Sequence, residues 1–223
     1  MSTQTIDPFV TSRTGALSVN KVLRNTYALL SMTLLFSAVT AGISMALNLP
    51  HPGLLLTLVG YFGLLFATAR FRNSGLGLVF VFALTGFMGY TLGPILNAYL
   101  ALANGGQLVM TAMGATGAIF LGMSGYALVS RRDFSFMGSF LMVGILVGFL
   151  AGVGAILFEI PALSLAVSAV FVLLMSGLIL YETSNIVHGG ETNYIMATVT
   201  LFVSIFNLFT SLLHLLGFMG GQE

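Results

Sequence analysis

The chain has 223 residues, of which 57% are hydrophobic, while seven Lys and Arg and six Asp and Glu leave a formal net charge of +1. Soluble domains carry charge on about a quarter of their residues, so a chain with 6% charged residues and a mean hydropathy of +1.05 cannot cover a water-facing surface. The composition therefore predicts an integral membrane protein, and the absence of Cys excludes disulfides, thiolate nucleophiles and Cys-ligated zinc sites.

The N-terminal segment contains no long apolar run. Residues 1–25 mix polar residues with Pro8 and Gly15, and they lack the apolar core behind a basic start that a cleaved signal peptide needs. We predict a flexible tail over residues 1–25, which the charge pattern below places in the cytoplasm. A single membrane domain is expected over residues 26–223.

Seven apolar runs follow, each long enough to cross about 30 Å of hydrocarbon at about 1.5 Å per residue. The runs are unbroken rather than alternating between apolar and polar residues, which excludes a β-barrel. Their connections are too short to form a soluble domain, so the predicted fold class is an all-α bundle of seven transmembrane helices. The predicted spans are residues 27–47, 53–69, 76–95, 108–129, 136–158, 161–181 and 194–218.

The basic residues all fall on one side of this predicted topology. Lys and Arg in short loops are retained in the cytoplasm. We therefore expect a cytoplasmic N-terminus and, after seven crossings, a C-terminus on the periplasmic side. The basic residues are Arg13, Lys21 and Arg24 before the first span, Arg70 and Arg72 after the second, and Arg131 and Arg132 after the fourth.

Small residues at four-residue spacing predict close helix contacts on the fourth and fifth spans, because small side chains let helix backbones approach each other in lipid. A ligand role for these residues is the weaker alternative, since this spacing is mainly an association motif. The two stripes are Gly114, Ala118 and Gly122 on the fourth span and Gly144, Gly148 and Gly152 on the fifth.

The seventh span carries a polar stripe at spacings of four, three, four and three residues, which places its members on one helix face. Polar side chains at membrane depth turn towards the bundle interior or a water-filled cavity. The stripe therefore indicates either hydrogen bonds between helices or the wall of a hydrated path, and the sequence leaves both open. Its members are Thr200, Ser204, Asn207, Ser211 and His214.

Two short motifs resemble the serine and histidine signatures of rhomboid intramembrane proteases. Ser124 lies in GMSG on the fourth span, and His214 begins HLLG on the seventh. The topology places them near opposite membrane faces, about 20 Å apart in depth, whereas a nucleophile and its base need a separation of about 3 Å. Metalloprotease, nucleotide and dinucleotide motifs are also absent, so we predict no enzyme, no cofactor and no nucleic-acid partner.

The stretch LYETSNIVHGGETNY, residues 180–194, concentrates charge at the inner end of the sixth span. Glu182 is expected at the same depth as Arg70, so it can pair with that guanidinium, coordinate a hard cation such as calcium, or respond to pH. The alternative is a hydrated carboxylate without a function. His188 is a pH-sensing candidate, because an unperturbed imidazole titrates near neutral pH, and Gly189 and Gly190 allow the turn to reverse.

Four segments together resemble the Bax inhibitor-1 (transmembrane Bax inhibitor motif) family, and the resemblance covers essentially the whole chain. They are KVLRNTYALLSMTLLFSAVTA, TGFMGYTLGPILNAYL, LYETSNIVHGGETNYI and LFVSIFNLF. The resemblance implies a seven-helix fold in a bacterial inner membrane, with the last helix at the centre of the other six. It also implies one of two activities, which are a pH-sensitive calcium leak and binding to an FtsH-type membrane protease.

In leak-type members two acids share a proton and pair with a basic residue. Glu182 matches the first acid and Arg70 is a plausible match to the basic partner, but Ser204 stands where the second acid is expected. A single carboxylate lacks the coupled titration of a dyad, and a hydroxyl is a poor calcium ligand. We therefore expect a protein that restrains the protease. The alternative is a cation leak, with Glu182, Arg70, Ser204 and Asn207 as latch or ion-path candidates and Glu182 as the possible calcium ligand.

Overall fold

The computed structural model describes residues 8–220, with side chains described from Val19 onwards, and this part of the chain is helical without β-strands. All seven α-helices contain a segment long and apolar enough to cross a membrane, which confirms the predicted fold class. A short 3-10 turn at Ser135–Met137 precedes the fifth helix. The helices are α1 Pro8–Ala46, α2 Leu54–Phe71, α3 Gly75–Leu100, α4 Gly105–Ser130, α5 Gly138–Leu157, α6 Pro161–Val187 and α7 Tyr194–Gly220.

α1 is longer than its predicted span. It contains 39 residues, or about 59 Å of helix at 1.5 Å per residue, and its membrane-spanning part is Val19–Ala46. Residues 8–25, expected as a flexible tail, are therefore helical, while the rest of that tail lies outside the described residues. Proline is compatible with the first helical position, where its missing N–H is not needed, so Pro8 begins the helix rather than interrupting it.

α6 also continues beyond its predicted end. Apolarity ends at Tyr181, but no helix-breaking residue occurs before Gly189, and the helix runs to Val187. Gly189 adopts a left-handed φ of 75°, and the Gly190 N–H donates to the Asn185 carbonyl at 2.8 Å, as in the common glycine-ended helix terminus. Glu182 therefore belongs to the helix and not to the turn.

α7 is the central helix and packs against α1, α3, α4 and α6. Leu201, Leu208 and Leu213 on α7 are fully buried. The central position expected from the family resemblance is thus present, with the main contacts of α7 within the described residues made to these four helices. α2 packs chiefly against α3, and α5 chiefly against α6, so both lie at the periphery.

The glycine contacts differ between helices. On α5, a Cβ added at Gly144 would lie 2.7 Å from Leu174 Cδ2, and one at Gly148 would lie 2.7 Å from Phe171 Cε2, so these glycines face α6. On α4, a Cβ at Gly114 or Gly122 would meet nothing within 4 Å. The predicted helix contacts at these two glycines are therefore not formed within the described residues.

α1 and α3 also cross closely, and the sequence analysis did not single this crossing out. A Cβ at Gly89 would overlap the Ser37 carbonyl oxygen and Thr40 Oγ1, and a Cβ at Gly93 would lie 2.5 Å from Ser44 Cβ. Small residues at this crossing allow the backbones to approach closely, as is common in membrane helix pairs.

Candidate functional site at the α6–α7 end

Glu182, in the last two turns of α6, is buried at the end of the bundle where α6 meets α7. Its side chain is 5% exposed, and its Oε1 has no hydrogen-bond partner among the residues that the structure describes. An unpaired buried carboxyl oxygen costs free energy, and an ionisable residue at membrane depth usually marks a functional position. We refer to this end of the bundle as the α6–α7 end.

Three hydroxyl groups from three helices meet next to Glu182. The Tyr27 hydroxyl of α1 donates to Ser124 Oγ of α4 at 3.0 Å, and Thr183 Oγ1 of α6 lies 3.1 Å from Ser124 Oγ and 3.2 Å from the Tyr27 oxygen. A hydroxyl can donate one hydrogen and accept others, so this triangle can be satisfied internally. The cluster fastens α1, α4 and α6 together beside the buried acid.

Ser124 and His214 do not form a nucleophile and base pair. His214 Nδ1 instead lies 2.8 Å from Ser168 Oγ, whereas Ser124 contacts Thr183. Ser168 and Thr183 are both on α6 and lie 15 positions apart, which corresponds to about 22 Å of helix. The serine and the histidine thus lie at different levels of the bundle, as the topology predicts.

The Ser168–His214 contact links α6 to α7. Ser168 Oγ donates its hydrogen to the Ser164 carbonyl at 3.0 Å, so it accepts a hydrogen from His214 Nδ1. A general base would have to accept the serine hydrogen instead. This pair was missed by the sequence analysis, although Ser164 and Ser168 lie four positions apart on one face of α6, which is a usable signal.

The expected ion pair between Glu182 and Arg70 is not formed. Arg70 is exposed, and its guanidinium carbon lies 5.8 Å from the centre of the Phe71 ring. Because α2 packs chiefly against α3, its end lies away from the part of α6 that carries Glu182. Equal depth in the membrane was therefore insufficient to predict a contact.

Ser204 and Asn207, the other ion-path candidates, bond within α7. Ser204 is fully buried, and its Oγ donates to the Thr200 carbonyl at 2.7 Å. Asn207 Nδ2 donates to the Val203 carbonyl at 2.9 Å. Of the predicted polar stripe, His214 is the member that bonds to a different helix within the described chain.

His188, which follows α6, ties the turn to the α4–α5 loop. Its Nδ1 lies 2.8 Å from the Ser184 carbonyl oxygen and its Nε2 lies 3.1 Å from the Arg131 carbonyl oxygen. Ser184 Oγ adds a bond to the Arg132 carbonyl oxygen at 3.0 Å. The residue predicted as a pH-sensing candidate thus holds two segments together.

Asn193 ties the same turn to the α2–α3 loop. Its Nδ2 donates to the Arg72 carbonyl at 3.1 Å, while its Oδ1 accepts the Ile195 N–H at 3.0 Å and so caps the start of α7. The Glu191 carboxylate in turn accepts the Asn193 N–H at 2.6 Å. The sequence analysis missed Asn193, although an Asn directly before an apolar helix is a typical N-cap signal.

Asp133 lies in the α4–α5 loop, outside the membrane-spanning segments. Its carboxylate accepts the Ser135 N–H at 2.8 Å. Hydrogen bonds from Ser135 and the nearby positive charge of His188 hold the pKa of Asp133 below its usual range, with the backbone bond the largest cause.

A metal site is not built from acidic and histidine side chains alone. Over residues 8–220, no three His, Cys, Asp or Glu side chains come together closely enough to hold a metal ion. Calcium takes about six to eight oxygen ligands, so a cation at Glu182 would depend on hydroxyl, backbone and water oxygens.

Comparisons with known proteins give a consistent result. A family model described as "Inhibitor of apoptosis-promoting Bax1" matches residues 19–221. The chain is 56% identical over 206 residues to the Escherichia coli K12 protein named "Modulator of FtsH protease YccA", covering 92% of this chain and 94% of that one. An E. coli CFT073 protein named "Inner membrane protein YccA" matches equally well. An uncharacterised Pseudomonas aeruginosa protein is 52% identical over 92% of both chains.

Proposed function

The chain belongs to the Bax inhibitor-1 family, and from that premise we propose that it restrains an FtsH-type membrane protease and has no catalytic activity of its own. It is a multi-pass inner-membrane protein, with seven helices able to span the bilayer. The observation that carries the proposal is the 56% identity, over 92% of this chain, to a protein named as a modulator of FtsH protease.

The α6–α7 end is the surface that we propose meets the protease. The α1 helix begins at Pro8, so about 16 Å of helix precedes the membrane-spanning part at Val19. The turn between α6 and α7 is fastened to both neighbouring loops by His188 and Asn193. We propose that a membrane-bound partner binds residues 8–18 of α1 and docks against the α6–α7 turn, which His188 and Asn193 hold in place.

Removal of residues 1–18 tests this proposal, because it leaves the span Val19–Ala46 complete. We expect the shortened protein to insert normally but to lose co-purification with FtsH and to stop protecting a membrane substrate of the protease. Replacement of residues 1–18 by a Gly/Ser segment of equal length controls for length alone. Unchanged co-purification of the shortened protein would contradict the proposed binding of the protease to this N-terminal segment.

A second candidate function is a pH-sensitive cation leak, and it is favoured by the buried Glu182, whose Oε1 bonds to none of the described residues. A carboxyl group at membrane depth can serve a cation or proton path. Calcium flux into liposomes containing the purified protein separates the two functions. Flux that Glu182→Gln abolishes supports the leak, whereas no flux above that of empty liposomes leaves protease restraint as the function.

A further inference from the structure

A cavity of about 800 Å³ lies between the two peripheral helices, and Glu182 is not part of its lining. α2 packs chiefly against α3 and α5 chiefly against α6, so a cleft remains between α2 and α5, with α7 as its floor. The rings of Phe62 on α2 and Phe149 on α5 bridge the cleft edge to face, with their centres 5.6 Å apart.

The cleft has the lining of a small-molecule site. Such sites are typically about 300 to 1,000 Å³ in volume, mainly apolar and aromatic, with a few polar groups that orient the ligand. Each of the five helices that form the cleft contributes an aromatic ring to it. These rings include Phe62, Phe87, Phe149, Phe171 and Phe206.

Two polar groups face this aromatic cleft near the middle of the membrane. Tyr61 lies close to the midpoint of α2, and Asn207 lies at the midpoint of α7. Asn207 Nδ2 donates one hydrogen to the Val203 carbonyl, which leaves a second amide hydrogen and Oδ1 available. The Tyr61 hydroxyl makes no hydrogen bond to any residue that the structure describes.

The depth of these groups selects the kind of ligand. A phospholipid keeps its ester and phosphate groups at the membrane boundary, about 15 Å from the midplane, so it offers only hydrocarbon to Tyr61 and Asn207. A transmembrane helix bonds its own backbone carbonyls within the helix, so it offers few free acceptors at that depth. The ligand must therefore be slender, apolar and equipped with an acceptor that reaches the bilayer centre.

We propose that the cleft binds one lipophilic ring compound with carbonyl acceptors, of the quinone type. Its flat ring packs among the phenylalanine side chains, and its carbonyl oxygens accept hydrogen bonds from the Tyr61 hydroxyl and the free Asn207 amide hydrogen. Its apolar tail leaves between α2 and α5, past Met142 and Leu146, which line the cleft and are exposed at the lipid-facing surface.

Decylubiquinone is a suitable probe, used with the purified full-length protein in nanodiscs of phosphatidylcholine. The amount bound is measured by ultraviolet absorbance after extraction, and uptake by empty nanodiscs is subtracted. We expect saturable binding of about one molecule per chain. Tyr61→Phe and Asn207→Leu should each weaken binding by about ten-fold, in line with the loss of a buried hydrogen bond.

Tyr126→Phe is the matched control, because Tyr126 is 48% exposed and lies outside the cleft; its binding should equal that of the unchanged protein. Thermal unfolding of Tyr61→Phe, which loses a single oxygen atom, shows whether the fold is retained. Uptake that rises linearly as in empty nanodiscs, or equal binding by Tyr61→Phe and Tyr126→Phe, overturns the proposal. So does a phospholipid that co-purifies in the cleft and is not displaced by the probe.

Discussion

At the scale of single residues, the two ring nitrogens of His188 both face carbonyl oxygens, those of Ser184 and Arg131. The distances are 2.8 and 3.1 Å, so both nitrogens lie within hydrogen-bond reach of a backbone oxygen. These contacts fasten the end of α6 to the α4–α5 loop.

His188→Ala should lower the stability of the folded protein. The variant loses the two hydrogen bonds, each of which contributes about 0.5 to 1.5 kcal/mol, so we expect a loss of about 1 to 3 kcal/mol. Thermal unfolding in detergent measures the change. His51→Ala is the control, because His51 Nδ1 accepts only the Gly53 N–H within its own loop. Equal effects of the two substitutions would mean that the His188 bonds contribute nothing.

Asp133 gives a prediction for pH. Its pKa in the folded protein is lowered, chiefly by the Ser135 N–H, so its stabilising contribution is fully present above its unfolded pKa. That contribution is lost as the pH falls through the lower folded pKa. The chain contains two aspartates, Asp7 and Asp133, so Asp-selective carboxyl NMR resolves the titration, and Asp133→Asn assigns the signal.

The control for this titration is Ser135→Pro, which removes the donated N–H at the start of a 3-10 turn, a position that tolerates proline. We expect its Asp133 midpoint to move up towards the ordinary value. An Asp133 midpoint at the ordinary value in the unchanged protein would show that the Ser135 bond is not maintained in solution.

At the scale of helices, two glycines should respond in opposite ways to the same substitution. Gly89→Ala brings a Cβ into the Ser37 backbone carbonyl of α1, which cannot move aside cheaply, and overpacking of this kind costs about 1 to 3 kcal/mol. Gly114→Ala meets nothing within 4 Å, and alanine favours a helix by about 1 kcal/mol over glycine. Thermal unfolding of both variants tests the difference, and equal losses of stability would contradict the described α1–α3 crossing.

The helices themselves could be predicted because length and apolarity are local properties of the sequence. The neighbour that each helix face contacts could not be predicted in this way. Gly114 and Gly122, with Ala118 between them, follow the same four-residue repeat as Gly144 and Gly148. Of these four glycines, the latter two lie against another helix within the described residues. Spacing defines a stripe, whereas the neighbour that covers it depends on how each helix is rotated within the bundle.

The same reason limits the prediction of the site. The position of Glu182 at the end of α6 followed from the sequence. The hydroxyls that meet the next residue, Thr183, could not be predicted, because Tyr27 and Ser124 come from α1 and α4 through contacts between distant parts of the chain. The pairing with Arg70 was inferred from depth alone. Depth follows from residue number within a helix, whereas contact also requires the two helices to be adjacent.

At the scale of the whole molecule, hydrogen bonds join the loops that carry the basic residues. Asn193 bonds to the Arg72 carbonyl and His188 to the Arg131 carbonyl, so the α2–α3 loop, the α4–α5 loop and the α6–α7 turn lie together at one end. Lys21 and Arg24 lie in the first turns of the α1 span. Positive charge is therefore concentrated at the α6–α7 end, and from the positive-inside rule we predict that this end faces the cytoplasm.

Fusions of alkaline phosphatase, which is active only outside the cytoplasm, test this orientation. A fusion after Glu223 should be active, and a fusion after Gly190, in the α6–α7 turn, should be inactive. Replacing Arg70 at the end of α2 and the loop residues Arg72, Arg131 and Arg132 by glutamine should reduce the activity of the Glu223 fusion, because the charge bias that sets orientation is weakened. If the Glu223 fusion is inactive and the Gly190 fusion active, the α6–α7 end faces the periplasm, together with residues 8–18, the part of α1 that precedes its membrane-spanning segment. A cytoplasmic protease domain then cannot reach either surface, and restraint of the protease must use the helices within the membrane.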